Sequence, residues 1–292
     1  MNTRFTPYLL VLPFVLIMCF IFLGGIFQAV VQSLGYLPAF GMTRLTLGYY
    51  RQVLADPRFL GSLRHTFYIA VVSSLISVIA GTGIAFAMNR ILPGIRLSYM
   101  LYKTPIVLPH LVVVVLVFYI FSQTGIISRF MYALGVIRDP NSFPLFVYDK
   151  SGIGIMLVYL YKQIPFVSLT VFTVLKNLDR KYTRIAENLG AGAFTVLFRV
   201  TLPLLAPAVL SAFLITFAFD FGAFEVPFVL GSPSRLTLPV LAYFDHTNAS
   251  LAARPAAMVM NVVISSISLI LIWLYTLLFR LLSKHGIEGG AL

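Results

Sequence analysis

Apolar residues run along this chain in six long blocks, at about 7–33, 66–88, 98–120, 152–175, 204–230 and 256–280, with shorter polar stretches between them. A helix rises about 1.5 Å per residue, so a hydrocarbon core of about 30 Å takes about 20 residues to cross. Each block meets that length. The runs are near-continuous rather than alternating, which predicts helices rather than strands. A helix also satisfies its own backbone hydrogen bonds where there is no water. The pattern predicts an all-α integral membrane protein, a single domain over residues 1–292 with six transmembrane helices. Tyr8, Tyr99, Tyr102, Tyr159 and Trp273 fall near block ends, as in an interfacial belt, although they suit packing equally well.

Composition agrees. Hydrophobic residues make up 60% of the chain and charged residues 10%, with a mean hydropathy of +0.96. Soluble domains carry about 25% charged residues, so a water-soluble fold is excluded. A net charge of +12 would fit nucleic acid, but no Lys/Arg run interleaved with aromatics lies outside the apolar blocks. Membrane proteins hold such charge at their cytoplasmic edges. The single cysteine, Cys19, lies inside the first block and has no partner for a disulfide within the chain. That block exceeds the usual apolar core of a cleaved signal, about 7–15 residues. Met18 is also not the small residue a lipoprotein cleavage site prefers, so the block is read as a retained span.

With both termini cytoplasmic, the inside segments are 1–6, 89–97, 176–203 and 281–292. They hold Arg4, Arg90, Arg96, Lys176, Arg180, Lys181, Arg184, Arg199 and Lys284, with Arg280 at the edge. The outside loops are longer in total and hold nine basic residues. The positive-inside rule leans toward this orientation without deciding it. The outside stretches 34–65, 122–151 and 231–255, including RDPNSFP at 138–144, are predicted to form short surface helices around a docking face. Asn248-Ala249-Ser250 matches a glycosylation sequon but is read as incidental.

The segment RIAENLGAGAFTVLFRVTLPLL, residues 184–205, breaks the apolar pattern between the fourth and fifth blocks. Tyr182–Leu189 is helix-compatible, Gly190 permits a turn, and Ala191-Gly192-Ala193 lets another surface approach closely. Phe194–Val200 resumes an amphipathic pattern and Pro203 opens the fifth block. Two short helices joined at a glycine would make a compact knob.

The spacing resembles the coupling loop of binding-protein-dependent ABC importer permeases, E-A-A-x3-G-x9-I-x-L-P, and is followed here by LPLLAPAVLSAF. The resemblance extends to PYLLVLPFVL at the N-terminus, to Arg64-His65-Thr66 at the start of the second block, and to Leu238-Pro239-Val240-Leu241. It implies a cytoplasmic coupling loop over 176–203 with Arg184, Ala186, Glu187, Leu189, Gly190, Ala191, Leu202 and Pro203 as its contact and hinge residues. One departure stands out. The family glutamate falls on Arg184 and the next alanine on Ile185, whereas Glu187 lies three residues on, near the same helix face. Glu187 is therefore expected to take over the acidic contact with the ATPase, unless this half of the transporter couples asymmetrically.

Asp220 and Glu225 lie in FDFGAFEVPFVLG of the fifth block. An ionisable group at mid-bilayer costs about 2.5–3.5 kcal/mol on insertion scales, so such groups face protein or a water-filled path. Gly222, Pro227 and Gly231 make this stretch breakable, as near transporter substrate sites. Lys162 and Gln163, next to Pro165, form a second polar kink, and Thr104-Pro105 with Pro109-His110 a third. These groups are candidates for a translocation path. The opposing reading pairs Lys162 with Asp220 and makes His110 a packing residue.

No catalytic constellation is present. The chain lacks a G-x4-G-K-[ST] phosphate loop, and His65, His110, His246 and His285 are scattered without metal-ligand spacing. The resemblance implies that ATP and Mg are bound by a partner. It implies a multi-pass permease of the bacterial inner membrane working with a second permease, identical or related, two ATP-binding subunits and an extracytoplasmic solute-binding protein. The wording EVPFVLG followed by LTLPVLAYF resembles the polyamine and iron branch, and two acids in one span would suit a polyamine. Ferric iron or a small anion such as a phosphonate or sulfate is the alternative cargo. An ion-coupled secondary transporter is the alternative of another class.

Overall fold

The computed structural model describes residues 6–91, 96–178 and 180–284, and these are helical apart from turns and one isolated bridge between Leu37 and Met42. Arg4, His285 and both chain ends lie outside the described residues, as do the side chains of Arg90, Arg96, Arg180, Lys181, Arg280 and Lys284. Six helical segments among the described residues are long and apolar enough to cross a membrane: Tyr8–Ser33, Pro57–Asn89, His110–Ala133, Ile153–Asn177, Ala193–Gly222 and Leu251–Leu277.

The chain divides into two compact units. The first comprises 1–63 and 238–266. It contains α1 (Thr6–Ser33), α2 (Gly48–Ala55) and the first turns of α3 (Pro57–Ile91). The second comprises 64–237 and 267–292. It holds the rest of α3, then α4 (Arg96–Val107), α5 (His110–Phe121), α6 (Ile126–Ala133), α7 (Ile153–Asn177), α8 (Arg180–Asn188), α9 (Ala193–Val196), α10 (Leu202–Gly222) and α11 (Glu225–Leu230). α12 (Leu238–His246) belongs to the first unit, and α13 (Arg254–Lys284) begins there and ends in the second.

Three block boundaries differ from those read off the sequence. The second helix starts at Pro57 rather than near 66, because Asp56 is an N-cap whose carboxyl accepts from the Arg58 backbone N–H at 2.8 Å and Pro57 takes the first helical position. The third block is two helices. Pro109 lacks an N–H and biases Leu108 away from helical geometry, so α4 ends at Val107 and α5 begins at His110. The fifth block ends at Gly222, where Ala223 is extended (φ −68°, ψ 133°), and the chain resumes as the separate α11.

Within the second unit α7 is the hub, packing against α4, α5, α10 and α11. One apolar cluster joins Val113, Val117, Ile155, Val158, Tyr159, Val226 and Leu230, and another joins Val78, Ala85, Val167, Val171, Leu205 and Ala212. α3 approaches α7 closely at Gly81, where a Cβ would come within 2.7 Å of the Val167 Cβ. In the first unit α1 is exposed along nearly its whole length, and the Tyr50 hydroxyl shares a hydrogen bond with the Ser33 hydroxyl.

Burial raises the Asp245 carboxyl on α12 above its ordinary range, nearby Arg58 opposes this, and Asp56 reinforces it. A pKa raised by folding means the native state holds the proton more tightly, so stability falls as pH rises from the ordinary carboxylate range through the raised value. Asp245→Asn should therefore raise the thermal midpoint at neutral pH and change nothing well below the ordinary carboxylate range, as read by melts at the two pH values. Gly81→Ala should destabilise the detergent-solubilised protein by about 1–3 kcal/mol, the usual cost of overpacking, seen as a lower unfolding midpoint.

Candidate functional site

Two places concentrate chemistry, both in the second unit. The first is a polar cluster inside the helices. Asp220 on α10 is 3% exposed. It accepts hydrogen bonds from the Ser73 hydroxyl (2.5 Å), the Ser74 hydroxyl (3.3 Å) and the Gln163 side-chain amide (2.5 Å). Ser77 in turn donates to the Gln163 carbonyl oxygen at 3.1 Å. Serines one helical turn apart on α3, an amide on α7 and a carboxyl on α10 are thereby tied into one network, and every member is buried. Such a network needs all its partners, because a buried polar group without one costs about 1–3 kcal/mol.

Lys162 does not pair with Asp220. It is the helical neighbour of Gln163, about 100° round α7, and so points elsewhere. Its ammonium donates to the Leu108 carbonyl (2.5 Å) and lies 3.4 Å from His110 Nδ1. The Leu108–Pro109 break supplies that carbonyl, since the proline interrupts the helical ladder there. His110 stacks on Phe219, centroid to centroid 4.8 Å. Lys162, Gln163 and His110 line one cavity of about 220 Å³ with Tyr159, Thr216 and Phe219. Asp220 is not among its lining residues. Glu225 opens α11, beyond the Ala223 break, and is exposed. Of the proposed path residues, the structure joins Gln163 to Asp220 by a hydrogen bond, sets Lys162 and Gln163 on one cavity, and puts Asp220 and Glu225 on separate helices.

The second place is the segment between α7 and α10. α8 ends in a hydrogen-bonded αL cap: Gly190 N–H donates to the Glu187 carbonyl (2.9 Å) and Ala191 N–H to the Ala186 carbonyl (3.0 Å). These are the two bonds of a Schellman motif, with Gly190 at φ +83° where a side chain would be strained. Gly192 starts α9 without a side-chain cap. A single π-helical stretch, Leu197–Thr201, then leads into α10, with the Thr201 hydroxyl donating to the Val196 carbonyl at 3.3 Å. Leu202 and Pro203 form the first turn of α10.

Arg184 and Glu187 line a polar groove of about 420 Å³ with Asn89 of α3, Lys176 of α7 and Thr201. The opposite character appears at the tip. Leu189 is 83% exposed and Phe194 80% exposed, and Phe194 stacks on the exposed Phe198 at 6.3 Å. Leu189 is among the contact residues the family resemblance implies, whereas Phe194 and Phe198 are not. Their i, i+4 spacing on a short amphipathic stretch was the available signal.

Among the described residues no group of three His, Cys, Asp or Glu could hold a metal ion. His65 is buried at 1% exposure near Gly152.

Comparison with known proteins gives these arrangements a setting. Residues 73–284 match the family model described as binding-protein-dependent transport system inner membrane component. The sulfate transport system permease protein CysT of Synechocystis sp. is 27% identical over 236 residues, covering 78% of this chain and 76% of that protein. The spermidine/putrescine transport system permease protein PotB of Escherichia coli is 25% identical over 194 residues, covering 66% of this chain and 68% of that protein. A chain in the crystal structure of a bacterial alginate ABC transporter, in complex with an alginate pentasaccharide-bound periplasmic protein, superposes with a TM-score of 0.76 at 15% identity, covering 96% of each chain.

Asp220→Ala should lower the unfolding midpoint by the equivalent of several kcal/mol, about 1–3 kcal/mol for each buried donor left unpaired. Asp220→Asn, whose amide oxygen still accepts, should lose less. Equal losses in denaturation of the two variants would argue against the network.

Proposed function

Since this chain belongs to the binding-protein-dependent transport system inner membrane components, we propose that it forms the translocation path of an ATP-driven importer and is moved by a separate ATPase seated on the α8–α9 knuckle. The observation that carries the coupling reading is the exposed apolar tip. Leu189 projects from the turn fixed by the Gly190 cap, between the spans Ile153–Asn177 and Ala193–Gly222, and the exposed Phe194 and Phe198 stand at the very start of the second of these. Contiguous exposed apolar side chains rimmed by polar groups mark protein–protein contact. A short, capped, two-helix knob transmits displacement rather than absorbing it, and the π-helical stretch at Leu197–Thr201 joins it directly to α10, which carries Asp220.

In this reading the knuckle faces the cytoplasm, both termini lie on that side, and the protein crosses the bacterial inner membrane six times. A second permease subunit, two ATP-binding subunits and an extracytoplasmic solute-binding protein complete the assembly. ATP and Mg are held by the ATPase. Its closure supplies the differential affinity for two conformations that any driven switch requires, and the knuckle passes that difference to the path. Glu187, exposed and beside Arg184 at the polar groove, supplies the acidic contact.

The cargo is a small charged solute. A polyamine draws on the likeness to PotB, whose name records spermidine and putrescine. A small anion draws on the likeness to CysT, whose name records sulfate. The pairing of Asp220 with Glu225 that favoured a polyamine on sequence grounds has less support once the two stand on separate helices, one enclosed and one exposed. An ion-coupled secondary transporter would instead show transport with no ATPase present.

The double substitution Leu189→Asp with Phe194→Asp should reduce binding-protein-stimulated ATP hydrolysis by the assembled complex more than about tenfold, the effect typical of central interface anchors. Glu187→Lys should reduce it as well. Unchanged stimulation in both would reject the knuckle as the coupling element.

A further inference from the structure

Lys162 carries a charge with no ion-pair partner among the described residues. Its ammonium has three N–H donors. One goes to the Leu108 carbonyl and one faces His110 Nδ1. Among the described residues no carboxylate lies within ion-pair distance of it, and Asp220 is engaged by Ser73, Ser74 and Gln163. An unpaired cation inside a membrane-crossing helix is costly and marks a functional site by default.

The neighbours are donors. With Lys162 donating to Nδ1, the neutral His110 ring carries its proton on Nε2, a tautomer assigned from the hydrogen-bond network. Tyr159 lines the same cavity at 1% exposure, and its buried hydroxyl has no hydrogen-bond partner. α5 begins at this point, with His110 in its first turn, and a helix N-terminus favours negative charge. Among the described residues no acidic side chain lines the cavity, although Glu225 is near enough for its charge to act on His110, and Asp220 on Tyr159. At about 220 Å³ it is smaller than the range of about 300–1,000 Å³ typical of drug-sized ligands, which suits a compact ion and not an extended chain of ammonium groups.

We propose that this cavity is a way station for a small oxyanion, held by the Lys162 charge and by hydrogen bonds from His110 Nε2–H and the Tyr159 hydroxyl. It rests on the importer reading and narrows the cargo of that importer to an anion. A lysine needed only to cap the Leu108 carbonyl would be replaceable by a neutral donor. One needed for charge would not, which is how the two roles separate.

The test uses the complete transporter in nanodiscs, titrated with sodium sulfate against sodium chloride at equal ionic strength, and separately with spermidine, with protection against thermal unfolding as the readout. Sulfate should protect the wild type and Lys162→Arg. In Lys162→Gln the apparent affinity should fall about ten- to hundredfold, the loss of one hydrogen bond to a charged group. Tyr159→Phe should weaken sulfate to a smaller extent and keeps the test open if Lys162→Gln fails to assemble. Sulfate protection unchanged in the variants, or protection by spermidine and not by sulfate, would overturn the proposal. Binding-protein-stimulated ATP hydrolysis is measured on the same wild-type complex. Stimulation without sulfate protection removes the anion site alone, whereas its absence removes the importer reading beneath it.

Discussion

Where there is no water, each polar group inside the protein must find its partner in the protein, and Asp220 is the place where this constraint binds hardest. Its carboxyl collects donors from two serines of α3 and from Gln163 of α7. The geometry that results fixes which faces of α3, α7 and α10 meet, since a rotation of any one would strand a buried donor. Apolar packing in hydrocarbon specifies rotation weakly, because lipid tails are as apolar as leucine. The network supplies the specificity, and Gly81 supplies the close approach of α3 to α7.

The prolines act in the opposite sense. Pro109 opens the third crossing and frees the Leu108 carbonyl, which Lys162 then meets. The Ala223 break separates the membrane-crossing part of the fifth helix from α11. Backbone irregularity inside a membrane is tolerated where it lines a cavity or is buried in protein. The Leu108–Pro109 break lies beside a cavity whose lining includes the Lys162 and His110 that close on it. Ordered polar interior and interrupted helices are thus two halves of one arrangement, the first holding the helices in place and the second making room among them.

Much of the fold was legible because a membrane span needs only length and apolar character, both local properties of the chain. The polar break at 176–203 and the glycine at its centre were equally local, and the Gly190 cap follows from residues within one turn of it. What failed was what depends on distant partners. Lys162 and Asp220 attract on paper, but they face different sides because Gln163, the next residue along α7, takes the inward position. Asp220 and Glu225 share a block of sequence but not a helix, since Gly222 and Ala223 end α10 between them. α3 begins at Pro57, upstream of the apolar block, because the Asp56-Pro57 start extends the helix into a polar stretch that apolar length alone does not mark. The exposure of Phe194 and Phe198 is not legible from sequence, because an apolar run of spanning character does not tell which of its side chains the fold leaves uncovered.

The central claim is that the α8–α9 knuckle is the cytoplasmic seat of a separate ATPase, and side-specific labelling of Leu189 tests it most directly. With the exposed Cys19 replaced by serine and Leu189 by cysteine, an impermeant maleimide is applied to right-side-out and to inverted membrane vesicles. The account predicts labelling in inverted vesicles alone, and protection there once the ATPase is bound. Labelling from the outer face, or labelling that a bound ATPase leaves unchanged, would contradict it.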